Sequence, residues 1–280
     1  MAWLEALVLG LVQGITEFLP VSSDGHLLIT ENLFAWLTGV TKSGKENLFF
    51  FVILHIGTTC AILYYHRKSI VQGCRGLSGS EDVSPGFQRA DVVRAGLLAA
   101  VATSPLVPFA LFLKKPLEQT FEGTTVAAYG FMLTAAVLMA TAWLSRKDGA
   151  KGPREMSWLD ALLIGLAQMV APLPGVSRSG VTIAAALALG LSRAQAVNFS
   201  LLIAVPAILG AVVFEIKDLN PSMLTADKLA HAAAGTILAG VVGYFAIIWL
   251  TRVVRSGRLW CFSLYLILLA IIVLSTGARI

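Results

Sequence analysis

Two short polar clusters interrupt a chain that is otherwise apolar enough to dissolve in lipid, and they occupy equivalent points of an internal repeat. The first is Pro20-Val21-Ser22-Ser23-Asp24-Gly25-His26, preceded by Glu17; the second is Pro174-Gly175-Val176-Ser177-Arg178-Ser179-Gly180. Sliding the chain by 155 residues (Ser22 onto Ser177) lays Trp3-Leu4-Glu5-Ala6-Leu7 on Trp158-Leu159-Asp160-Ala161-Leu162 without a gap. The same offset pairs Gly10 with Gly165, Leu11 with Leu166, Gln13 with Gln168, Val21 with Val176 and Gly25 with Gly180. Trp, Gln, Ser and Gly matching at one offset argue for two halves of one fold.

Hydrophobic residues make up 57% of the chain and charged ones 13%, with mean hydropathy +0.79. A soluble domain carries about a quarter charged residues, so the composition reads as membrane-embedded, with room for roughly six to eight spans of about 20 residues. The net charge of +5 sits in short loops between apolar runs, which fits loops facing anionic lipid and excludes a nucleic-acid partner. Cys60, Cys74 and Cys261 have no metal or redox spacing. The N-terminal residues do not read as a cleavable signal peptide, because a basic region is missing and Glu5 comes early.

Three apolar segments follow each cluster, over roughly 48–66, 92–113 and 124–145, then 198–216, 229–250 and 259–277. The cluster-bearing segments, 3–37 and 157–191, are each broken near the middle, at Pro20 and at Pro172-Leu173-Pro174-Gly175. Proline ends the first arm, and Ser22 or Ser23 in one half and Ser177 in the other can cap the next. Such a break is tolerated at membrane depth only where protein or water covers the backbone. The expected fold is therefore an all-α polytopic membrane protein: a single domain over 1–280, with repeats at about 1–150 and 151–280. Each repeat is a re-entrant helix hairpin plus three transmembrane helices. A hairpin returns to its own side and three spans do not, so the repeats have inverted topology. Arg67, Lys68, Arg75 and Arg89, then Arg146, Lys147, Lys151 and Arg154, then Arg252, Arg255 and Arg258 all fall on one side of this scheme. The other side holds mainly Lys42, Lys45, Lys114, Lys115, Lys217 and Lys228. Basic loops face the cytoplasm, which puts both termini outside.

The clusters carry the chemistry, since polar side chains at membrane depth mark functional sites. Gln13 and Glu17 share a helix face among apolar neighbours, and a carboxylate there can bind a divalent cation, orient a histidine or act as base. Ser22, Ser23, Asp24, Gly25 and His26 open a helix whose first amides suit an anion. Gly175 allows close backbone approach, Ser177, Ser179 and Thr182 offer hydroxyls, and Arg178 offers a fork matched to phosphate. Two helix N-termini and one arginine converging describe a diphosphate pocket. His55 reads as packing or as a neighbour of the site, and His66 and His231 as interfacial.

With these residues in view, the chain resembles the undecaprenyl pyrophosphate phosphatase family, the bacitracin-resistance proteins, through nearly its whole length. The likeness rests on Gln13-Gly14-Ile15-Thr16-Glu17 with Pro20-Val21-Ser22-Ser23-Asp24-Gly25-His26, and on Pro174-Gly175-Val176-Ser177-Arg178-Ser179-Gly180-Val181-Thr182. It implies a hydrolase that removes the terminal phosphate of a C55 isoprenyl diphosphate with a divalent cation, Mg2+ or Ca2+, at the outer face of the bacterial cytoplasmic membrane. The product is the lipid carrier of cell-wall precursors. Carried onto this chain, Glu17, Ser23, His26 and Arg178 are the catalytic set. Arg178, Ser177, Ser179, Thr182, Gly175 and Ser22 hold the phosphates, and Glu17, Asp24 and Gln13 are the candidate metal ligands. The chain departs from the commoner pattern in having Gln13 where Glu is frequent and Asp24 where Thr is frequent, so that Asp24 is expected either to restore the lost carboxylate or only to cap the second arm as Thr would. The attacking group is Ser23, His26 or water.

The rival reading is a polyprenyl-phosphate carrier, or flippase, of inverted-repeat type, which needs anion binding but no nucleophile–base pair. The small-residue runs Ala232-Ala233-Ala234-Gly235 and Gly240-Val241-Val242-Gly243 are expected to pack helices within the monomer rather than across a homodimer.

Overall fold

The computed structural model describes residues 3–39, 44–80, 82–113, 123–144, 147–216 and 225–276. Of the loop charges above, Lys42, Lys114, Lys115, Arg146 and Lys217 lie outside these residues, as does the side chain of Lys45. Among the described residues helices are the only regular elements: α1 Trp3–Thr16, α2 Ser23–Thr38, α3 Gly44–Tyr65, α4 Arg67–Leu77, α5 Arg89–Thr103, α6 Thr124–Leu144, α7 Trp158–Gln168, α8 Arg178–Ala188, α9 Arg193–Ile216, α10 Ala226–Arg255 and α11 Cys261–Ser275. Four of the helical stretches, Arg89–Phe112, Thr124–Leu144, Arg193–Phe214 and Ala226–Arg255, are long and apolar enough to cross a membrane, and shorter apolar helices accompany them.

Local chemistry sets the ends of the two broken segments. Ser22 caps α2 by accepting from the Gly25 amide, and Ser177 caps α8 by accepting from Gly180. Asp24 therefore sits inside the first turn of α2, where its charge favours the helix N-terminus, and is not the cap. A reciprocal capping box between Ser157 and Asp160 starts α7.

Two elements differ from the sequence expectation. The stretch between the first two spans folds as α4, a helix with an apolar stripe of Ile70, Val71, Cys74 and Leu77 beside the basic Lys68 and Arg75. Its small Gly73 and Gly76 face α5, where a side chain at 76 would collide with the Phe87 carbonyl. The span read as unbroken over 92–113 leaves regular α-helix after Thr103, continuing through Leu106–Pro108 into a π-helical turn, Phe109–Leu113. Pro105 and Pro108 lack the amide hydrogens that a regular helix would use there.

The two halves interlock. Helix α1 packs on α10, and its sequence counterpart α7 packs on α5. Helix α3 packs on α10, while its counterpart α9 packs on α5. Small residues allow the closest of these crossings: a Cβ at Gly10 would collide with Gly235 of α10, and one at Gly165 with Ala102 of α5. The small residues of α10 thus serve packing within the monomer, with Gly240 against Gly57 of α3 and Gly243 against Phe18.

The three basic loops meet at one end of the bundle. Arg154 pairs with Asp91 at 2.9 Å, Arg94 donates to the carbonyls of Pro153 and Met156, and Arg193 links Asp148 to the Arg255 carbonyl.

Replacing Gly10 by Val should destabilise the fold by about 1–3 kcal/mol, because backbone lies where the new side chain must go. Thermal unfolding in detergent checks this, with Leu11→Val at an exposed position of the same helix as a control that leaves the midpoint unchanged.

Candidate active site

The breaks between α1 and α2 and between α7 and α8 touch each other. Arg178, the first residue of α8, donates from Nη2 to Glu17 Oε1 at 2.7 Å. Ser179 donates to the Leu19 carbonyl at 3.3 Å, so one cluster satisfies a backbone oxygen of the other. Helix α6 holds both breaks from behind. The Thr134 hydroxyl donates to the Gly175 carbonyl and accepts from the Ser177 amide, each at 3.0 Å. Phe131, fully buried, lies where a side chain at Gly25 would be. These partners resolve the difficulty of irregular backbone away from water.

Backbone shape follows from close approach. Gly175 has φ +83°, and a Cβ there would meet the Ala127 carbonyl of α6. Ser22 has φ 70° and is the one non-glycine residue with positive φ among those described. A conformation disfavoured for an L-residue persists only where its surroundings over-determine it. Here the Ser22 hydroxyl caps α2, and its carbonyl meets His26 Nδ1 at 2.7 Å.

Glu17 is the hub. Its Oε2 accepts from Gln13 Nε2 at 3.0 Å and from the Ser23 hydroxyl at 2.9 Å, and lies 3.6 Å from His55 Nε2. The side chains of Glu17 and Arg178 are 5% and 16% exposed, so this is a largely desolvated ion pair. A carboxylate that accepts from a serine hydroxyl beside a guanidinium can deprotonate that serine while the guanidinium holds an anion.

The remaining candidates divide. Ser177, Ser179 and Thr182 are buried and their hydroxyls have protein partners. Thr182 bonds the Arg178 carbonyl at 2.8 Å and Ser200 at 2.7 Å, tying α8 to α9 instead of facing the break. Its position one helical turn after Arg178 explains this, since a threonine there reaches back to the carbonyl four residues earlier. His26 is not hydrogen-bonded to Ser23, whose hydroxyl goes to Glu17; its Nε2 meets the Tyr265 hydroxyl at 2.7 Å. Asp24 is exposed, whereas Gln13 and Glu17 are buried. Among the described residues no three His, Cys, Asp or Glu side chains are placed to hold a metal ion. The buried Gln13 Oε1, however, has no hydrogen-bond partner, which leaves an oxygen ligand beside Glu17.

Thr134, Ser200 and Tyr265 did not emerge from the sequence. Thr134 carried the signal used for the clusters, a hydroxyl inside an apolar span. Tyr265 looks like any aromatic of a membrane helix, and only tertiary contact distinguishes it.

Fold and site together define a polytopic membrane protein with a buried, arginine-bearing polar cluster where two helix breaks meet. The bacitracin resistance protein BacA family matches residues 6–272, and the chain belongs to that family. Among its relatives is an undecaprenyl-diphosphatase of Chloroherpeton thalassium, 35% identical over 97% of this chain and 95% of the relative. Others, under the same name, come from Alcanivorax borkumensis, 36% identical over 98% of each, and from a Nocardioides species, 37% identical over 98% of this chain and 97% of the relative.

Removing one partner of the central pair leaves an uncompensated charge. Glu17→Ala should therefore destabilise the protein by about 3–5 kcal/mol, and the double replacement of Glu17 and Arg178 by Met by much less. Denaturation of both variants reads the difference; equal losses would mean the pair is not desolvated as described.

Proposed function

We infer that the protein is an integral-membrane undecaprenyl-diphosphatase: it hydrolyses undecaprenyl diphosphate to undecaprenyl phosphate and inorganic phosphate. This activity recycles the lipid carrier of peptidoglycan synthesis and confers bacitracin resistance. The observation that carries the catalytic reading is the chain Ser23–Glu17–Arg178, in which a hydroxyl, a carboxylate and a guanidinium are linked by hydrogen bonds of 2.9 and 2.7 Å. The Ser23 hydroxyl attacks the terminal phosphorus as its proton passes to Glu17. An O–P bond to Ser23 forms, the bridging P–O bond breaks, and undecaprenyl phosphate leaves with the bridging oxygen. Water then displaces Ser23 from phosphorus, its proton passing to His26 while Glu17 returns the first proton to Ser23. Arg178, the α2 and α8 N-termini and the turn at Gly175 stabilise the charge on the transferring group. Ser22, Ser177 and Ser179 shape this cradle through caps and hydroxyl contacts. A carrier would need the anion cradle alone, so the serine–carboxylate contact favours the enzyme.

A divalent cation, Mg2+ or Ca2+, would be held beside the substrate phosphates by Glu17 and the orphaned Gln13 Oε1, with Asp24 on the exposed first turn of α2 as the further carboxylate. When bound, it would neutralise phosphate charge as a Lewis acid. The chain forms one domain of two inverted-topology repeats, each a re-entrant hairpin with three spans; the exchanged packing of α1 on α10 and α7 on α5 supports this. With its basic loops gathered at one end, the protein sits in the bacterial cytoplasmic membrane with that end in the cytoplasm and the active site open to the outer face.

Purified protein should release phosphate from undecaprenyl diphosphate, and chelator should stop it. Ser23→Ala should abolish turnover while leaving lipid binding largely intact, and Arg178→Lys should lower kcat by about 10²–10³-fold, because a point charge does not reproduce the fork. Lipid translocation without hydrolysis by the wild type would instead establish the carrier.

The metal reading is tested by titration. Asp24→Thr should raise the cation concentration needed for half-maximal activity, and adding Gln13→Glu should bring it back down. An unchanged titration in Asp24→Thr would leave Asp24 as a first-turn helix charge only.

A further inference from the structure

We propose that Tyr265 is a positioning residue for His26, holding its imidazole in place at the break by a hydrogen bond to Nε2. The inference rests on the reading of His26 as the group that takes the proton of the attacking water.

The geometry is specific. Nδ1 of His26 lies 2.7 Å from the Ser22 carbonyl, which can only accept, so the Nδ1 proton is fixed there. Nε2 is then the nitrogen turned to α11, and it lies 2.7 Å from the Tyr265 hydroxyl. A phenol can donate to a ring-nitrogen lone pair or accept from a ring N–H, so this contact fixes where the ring sits while Ser22 fixes the tautomer. The ring planes are within 15° of parallel with centroids 5.7 Å apart, while Phe131 meets the imidazole edge-on at 5.3 Å. Contacts from α6 and α11 thus hold the ring plane, and Ser22 and Tyr265 hold its two nitrogens. Tyr265 lies on the last helix, 239 residues from His26, so the hairpin of the first half is completed by the end of the second.

The test uses Tyr265→Phe, which keeps the aromatic ring and removes only the hydroxyl. Loss of this hydrogen bond should lower kcat about tenfold with KM within about twofold, and leave thermal stability near wild type. In protein carrying ¹⁵N-histidine, the His26 signals, identified by their loss in His26→Asn, should move at Nε2 in Tyr265→Phe, while Nδ1 keeps its proton on the Ser22 carbonyl. Wild-type kcat together with unmoved His26 signals would overturn the role of Tyr265 while leaving His26 in place. Wild-type turnover by His26→Asn would overturn the proton-handling reading of His26, and this proposal with it.

Discussion

The Glu17–Arg178 ion pair is the contact on which the rest of the site depends. Each partner stands at a helix break, one in each half, and each is largely removed from water. A buried charge without its partner is costly, so the pair draws the two breaks together and sets their distance. Much of the polar cluster is attached to it: Gln13, Ser23 and His55 gather on Glu17, and Arg178 opens α8, while His26 stands apart on Ser22 and Tyr265. One carboxylate serves both contacts, Oε1 taking Arg178 and Oε2 taking the Ser23 hydroxyl.

Broken helices in an apolar setting need scaffolding, and α6 supplies it. Thr134 pairs the exposed backbone of one break, and Phe131 closes the other. Small residues then let α1 and α7 approach helices of the opposite half until backbone meets backbone. Neither half could keep its break dry alone, because each first arm packs on a span from the other. Interlocking of this kind joins the two copies of the repeated sequence through their helices.

The duplication is not functionally symmetric. Gln13 and Gln168 are equivalent, both buried, and each has an Oε1 without a partner. Yet Glu17 matches Pro172, Ser23 matches Arg178 and His26 matches Val181 at the same offset. One break carries carboxylate, hydroxyl and imidazole, and the other carries the guanidinium. The two kinds of group meet where Arg178 reaches Glu17 across the repeat.

The amino-acid sequence by itself determined the all-helical membrane class, both breaks, and the Glu17, Ser23 and Arg178 cluster. These are read from local rules: apolar length, proline, serine caps, and the cost of placing polar groups in hydrocarbon. It also contained the repeat, since a gapless offset needs no coordinates. Pairing was decided only by tertiary structure. Ser23 turns to Glu17 and not to His26, Thr182 turns to Ser200 and away from the break, and Tyr265 reaches His26 from the far end of the chain. A hydroxyl or ring nitrogen has several partners within reach of its residue type, and the one it takes depends on how the helices and breaks are packed, in the case of Tyr265 across 239 residues. Helix α4 and the π-helical turn after α5 escaped for a related reason, because apolar length alone does not register a short amphipathic stripe or the turn that two prolines force.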